Sequence, residues 1–136
     1  MQFETKVAIL VLEDLAMWQK LNVTAFLATG MAGAAPEMMG EPYEDAAGRP
    51  HARLFGQPIM VFAAAPAVLA RAWRQSIERD LTRAAYVRAM FATGHDAANR
   101  KAFRAEAADA PDLVGLALRG PRKEVDKAVK GAVLHP

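Results

Sequence analysis

The chain has 136 residues, 53% hydrophobic and 24% charged, with a net charge of +2 and no cysteine. Such a composition excludes disordered, collagenous and disulfide-rich classes, and the missing thiols exclude a cysteine nucleophile and any Cys-held zinc or iron–sulfur centre. One domain over residues 1–136 is expected from the length. Charge is uneven: residues 1–68 hold four Lys/Arg against seven Asp/Glu, and residues 69–136 hold thirteen against eight. A basic second half can attract phosphates, but most of these side chains fall beside acids on helix exteriors, so nucleic-acid binding is not the favoured expectation.

In chain order, residues 6–12 (KVAILVL) form a continuous apolar, β-branched run, the pattern of a strand buried on both faces. The opening MQFETKVAILVLEDL is too short in apolar length for a spanning helix and lacks the pattern of a signal peptide, so a cytoplasmic protein without membrane association is expected. Residues 18–33 (WQKLNVTAFLATGMAG) are apolar almost all round and predict a helix lying on the sheet. Composition then shifts to Gly, Pro and charge, predicting a loop with a small hairpin turning at AAGRP. Residues 58–64 (PIMVFAA) predict the second core strand. Pro66 suits a helix start, and Leu69, Trp73, Ile77 and Leu81, spaced by four, predict the inward stripe of an amphipathic helix.

Residues 85–91 (AYVRAMF) predict a third strand, followed by a turn and a helix for which Asp96 is the expected N-cap. Residues 113–118 (LVGLAL) predict the fourth strand, and RGPRKEVDKAVKG a closing helix. The expectation is an α/β domain of three layers: a central mixed sheet of about four strands with helices on both faces. Ile9, Val11, Val61, Val87 and Leu116 are the predicted core.

Three polar clusters interrupt this pattern. The turn DLAMWQKLN carries Asp14, Trp18, Lys20 and Asn22 at a strand end, where open α/β sheets form ligand crevices. In an apolar helix Asn22 needs a hydrogen-bond partner, since an unpaired buried amide costs ~1–3 kcal/mol. The turn TGHDAANR offers Gly94 for a tight bend, His95 as a proton carrier, and Asn99 and Arg100 one helical turn on. RGPRKE presents Arg119 and neighbouring cations at a helix start. Plain structural roles compete at each: Asp14 capping, Trp18 packing, Lys20 solvated, Asp96 capping. Three scattered histidines do not make a metal site, and no cofactor is indicated.

VAILVLEDLAMWQK and LVGLALRGPRKEVDKAVKG resemble the opening and closing segments of the archaeal and eukaryotic type of peptidyl-tRNA hydrolase, and QPIMVFAAAPAVLARAW resembles its second strand and helix. WQKLNVTAFLATG, MFATGHDAANR and LVGLALRGPRKEVDK are similar to a bacterial family known as domain of unknown function 2000, grouped with that fold. The resemblance implies the type 2 peptidyl-tRNA hydrolase architecture and a homodimer. Lys20 matches the hydrolase lysine, but the helix-borne histidine is replaced by Leu27 or Ala28, and the turn after the third strand is rebuilt as ATGHDAANR. Two functional classes therefore stay open. One is a small-ligand module, with catalysis by His95 and Lys20 as its extension, whose cleft lies between residues 14–22 and 95–100 and takes ligand contacts from Asp14, Trp18, Asn22, Asn99, Arg100 and Arg119. The other is a hydrolase-like esterase or RNA-binding protein.

Overall fold

The computed structural model describes residues 3–136. Its core is built on β1 (Thr5–Leu12), whose last six residues are buried. This strand has no face turned to water, which is why its sequence is continuously rather than alternately apolar. It pairs in parallel with β4 (Ile59–Ala64), Ile9 opposite Val61, and antiparallel with β6 (Leu113–Pro121), Ile9 opposite Ala117. β5 (Thr82–Val87) extends the sheet antiparallel to β6, and β7 (Val133–Leu134) adds antiparallel to β4. The order is β5-β6-β1-β4-β7, five strands rather than about four. β7 escaped sequence reading because two exposed residues carry no periodicity. The separate hairpin, β2 (Tyr43–Glu44) and β3 (Pro50–His51), falls where the Gly-Pro turn predicts it.

Helix α1 (Met17–Ala34) covers one face of the sheet, burying Val23, Leu27 and Met31. Gly115 sets its height: a Cβ there would stand 2.3 Å from Val23 Cγ1 and 3.0 Å from Leu27 Cδ1, so the helix rests where no other residue allows. α2 (Pro66–Glu78) and α4 (Arg122–Ala128) cover the opposite face, and α3 (Asp96–Arg104) packs beside the edge strand β5. In α2 the buried stripe is Leu69, Ala72 and Ser76, while Ile77 is exposed. Of the expected spacing-by-four stripe, Leu69 and Leu81 are buried and Trp73 is half-buried against the core, while Ser76 takes the inward place expected of Ile77. Ser76 satisfies its hydroxyl by donating to the Trp73 carbonyl (2.6 Å).

Of the expected core residues, Ile9, Val11, Val87 and Leu116 are fully buried, and Val61, nearer the sheet edge, is only partly so. The third strand is shifted from its predicted span: it starts at Thr82 and ends at Val87, and Arg88–Ala92 form a 3-10 turn. The ladder stops there because its partner does, Val87 lying opposite Leu113, the first residue of β6. Met90 and Phe91, read as strand for their hydrophobicity, are thereby released to another task. Among the described residues no helix is long and apolar enough to cross a membrane.

Candidate functional site

β1 and β5 point the same way, since both run antiparallel to β6. Their C-terminal ends therefore lie together, and the chain leaving β1 starts α1 there while the chain leaving β5 turns into α3. Between them is a cleft of about 260 Å³. Trp18, Asn22 and Phe26, spaced by four along α1, form one wall, Tyr86, Met90 and Phe91 the floor, and Thr93, Gly94, His95, Asp96 and Asn99 the opposite wall.

The apolar part is a continuous chain of rings. Trp18 meets Phe91 edge-on at 5.8 Å, Phe91 meets Tyr86 at 5.3 Å, and Tyr86 meets Phe26 at 6.0 Å, all within the range of favourable aromatic pairs. The outer two rings remain open: Trp18 is 61% and Phe26 52% exposed. Asn22 finds its required partner here, Nδ2 standing 3.5 Å from the Tyr86 hydroxyl. Burial raises the Tyr86 pKa above its ordinary 10.0, and the Asn22 contact opposes that rise. Tyr86 is thus a neutral phenol that can donate as well as accept.

On the opposite wall His95, not Asp96, is the N-cap of α3. His95 Nδ1 accepts from the Ala98 N–H at 3.2 Å, and Asp96 sits one position on, paired with Arg100. Cap geometry decides between neighbours: the cap residue has extended backbone (φ −161°, ψ 167°), which His95 has, while Asp96 already belongs to the helix. This contact fixes the ring's tautomer, leaving Nε2 as the N–H. The Thr93 hydroxyl, with one hydrogen, is within reach of both the Met90 carbonyl (2.9 Å) and Asn99 Oδ1. Gly94 does not hold a left-handed backbone, and a Cβ there would meet nothing within 4 Å. Its turn does not require glycine.

The structure thus brings Trp18, Asn22, His95 and Asn99 into one cavity and places the other candidates elsewhere. Arg100 borders an adjoining hollow of about 230 Å³ that shares Phe26, Tyr86, Met90, Asp96 and Asn99 with the cleft. Lys20 is two residues, hence ~200° of helix, from Trp18, and its Nζ lies 3.2 Å from His135 Nε2. Asp14 is exposed in the turn, and the Ala16 N–H is capped by Gln19 Oε1 instead (3.1 Å). Arg119 is opposite Val7 and Thr82, at the other end of the sheet, its Nε 3.5 Å from Gln57 Oε1. Tyr86, Phe91 and Thr93 were not anticipated. A signal existed for Tyr86: a tyrosine inside a buried strand needs a partner for its hydroxyl, as Asn22 needs one for its amide. Among the described residues no three His, Asp or Glu converge as a metal-binding group.

A solved structure of a protein of unknown function from Agrobacterium tumefaciens strain C58 is 50% identical, with a TM-score of 0.95, covering 99% of this chain and 100% of that one. No curated protein matches. The family described as "Protein of unknown function (DUF2000)" matches residues 5–136, essentially the whole α/β unit with both walls of the cleft. The chain belongs to the DUF2000 family.

Proposed function

We propose that the cleft between the starts of α1 and α3 binds an uncharged small molecule with a ring face and a hydrogen-bonding edge. The observation that carries this is the convergence of Asn22 and Tyr86, 64 residues apart in sequence, with His95 and Asn99 around one ring-walled cavity. Trp18, Phe91 and Phe26 supply apolar faces. Asn22 and Asn99 supply amides, the Tyr86 and Thr93 hydroxyls and the His95 Nε2–H supply directional groups, and such few convergent polar groups on an apolar wall characterise ligand sites. Asp96, the one carboxylate in the lining, is neutralised by Arg100. An ionised ligand would gain little there.

His95 acts in this reading as a donor. To take a proton it would have to use Nδ1, breaking the Ala98 contact and losing a cap worth ~0.5–2 kcal/mol. Lys20, turned toward His135, is no part of this site. Ester hydrolysis is not what the cleft favours. Nor is RNA binding: Arg79, Arg88 and Arg100 of the basic half pair with Glu124, Asp112 and Asp96. The cysteine-free composition suits a cytoplasmic setting.

A thermal-shift panel of adenine, uracil, nicotinamide, glucose and tRNA tests the proposal. Saturable stabilisation by a neutral ring compound, of ~2.7 kcal/mol at a hundredfold excess over Kd, supports it. Stabilisation by tRNA alone, falling steeply with salt, would transfer the function to RNA.

A further inference from the structure

The two helices that wall the cleft carry matched rows. On α1, Trp18, Asn22 and Phe26 recur every four residues, and His95, Asn99 and Phe103 do the same from the cap of α3 onward. Each row reads ring, carboxamide, phenyl, and each runs back from the strand ends for ~12 Å at 1.5 Å per residue. The first two members of both rows line the cleft, whereas Phe103 stands beyond it, in the adjoining hollow of about 230 Å³ with Leu27, Ala84 and Ala85. Phe26, Tyr86, Met90 and Asn99 line both spaces. Cleft and hollow are thus one trough that changes character along its length. At the strand ends it offers amides, hydroxyls and an imidazole N–H. Past Tyr86 it is apolar, walled by Phe26 and Phe103 over the two alanines, and the only ions near it, Asp96 and Arg100, pair with each other and face water. Alanine is disfavoured in strands, and two in succession on β5 leave the space between the helices unfilled.

We propose that the ligand is bipartite: an uncharged ring head held among Asn22, Tyr86 and His95, and a short alkyl arm that passes Tyr86 into the hollow between Phe26 and Phe103. The inference rests on the reading of the cleft as a ligand site and names the class of molecule it takes, an alkyl-bearing ring compound rather than a free base or a sugar. The change in polarity fixes the orientation. Reversed, the head would set its hydrogen-bonding edge against phenyl and methyl groups, where its donors and acceptors go unpaired, and the arm would cover the Asn22 amide and the His95 N–H. The arm itself is uncharged, since the hollow holds no free counter-ion for it. A butyl group, four units each of about the ~30 Å³ that a water molecule occupies, takes roughly half of the hollow and leaves the head in the cleft.

Calorimetric titration with adenine, uracil and nicotinamide, each beside its butyl form (9-butyladenine, 1-butyluracil and N-butylnicotinamide), tests the inference. A methylene taken fully out of water is worth about fourfold in affinity. The hollow is open on one side, so at least one butyl compound should bind ~10–50-fold more tightly than its parent. Phe103→Ala, which removes one wall, should bring that ratio toward one. Ala85→Val, a strand-favouring change that narrows the hollow from its floor, should do the same. Asn22→Ala should weaken parent and butyl form alike and preserve the ratio. A parent that binds while its butyl form binds no more tightly would overturn the arm and leave the cleft reading intact. So would a ratio that neither Phe103→Ala nor Ala85→Val moves, because the arm would then lie elsewhere. Failure of all six compounds to bind would overturn the arm and the cleft reading together.

Discussion

Asn22 Nδ2 on α1 stands 3.5 Å from the Tyr86 hydroxyl on β5, joining the cleft's first wall to its floor. Burial raises the Tyr86 pKa and the Asn22 contact lowers it, so Asn22→Ala raises it further and destabilises the fold by about 0.5–1.5 kcal/mol. Ultraviolet titration of the wild type and the variant reads this. The sign with pH is fixed by linkage. The folded state holds the Tyr86 proton more tightly than the unfolded chain does, so the Tyr86 contribution is fully present below pH 10 and is lost as pH rises through the folded value. The stability difference between wild type and Tyr86→Phe should shrink in that direction, and a constant difference from pH 9 to 11 would contradict it.

Replacing His95 separates its two tasks. His95→Ala removes both the cap and the Nε2 donor, and urea unfolding should show a loss of about 0.5–2 kcal/mol. His95→Asn keeps a good cap and should retain stability while losing the ring from the cleft. Equal stability losses in both variants would show that the Ala98 contact is not what His95 contributes.

Glycine substitutions should divide sharply. Gly115→Ala drives a methyl into Val23 and Leu27 and should cost about 1–3 kcal/mol by lifting α1 from the sheet. Gly94→Ala meets nothing and should change stability by no more than about 0.5 kcal/mol. Chemical denaturation of both proteins checks the contrast.

The parts legible in the sequence were those whose cause is local. The run from Val7 to Leu12 announces a doubly buried strand, and the apolar composition of α1 a helix on the sheet. The end of β5 depends instead on where β6 begins, a partner 26 residues further on from Val87, so Met90 and Phe91 looked like strand and turned out to line the cleft. Trp18, Asn22, His95 and Asn99 were recognisable as polar or aromatic residues beside strand ends. That Lys20 points away follows from helical phase, and that Arg119 lies at the opposite end follows from the antiparallel direction of β6. Residue chemistry was visible; direction required the topology.

Peptidyl-tRNA hydrolysis is expected to be absent at any useful rate. General acid–base groups commonly contribute ~10²–10⁴-fold to such reactions, yet Lys20 is engaged at His135 and His95 spends Nδ1 on Ala98. Purified protein should release acyl-amino acid from N-blocked aminoacyl-tRNA no faster than His95→Ala does. Turnover lost in that variant would reinstate the esterase reading.

The ligand cleft itself is tested most directly through Trp18, whose indole forms its outer wall. In a Trp73→Phe background Trp18 is the sole tryptophan, and titration with adenine, uracil and nicotinamide should quench or shift its fluorescence saturably for at least one of them. Asn22→Ala should abolish that response. No response to any of the three, or one of unchanged midpoint in Asn22→Ala, would contradict binding in the cleft.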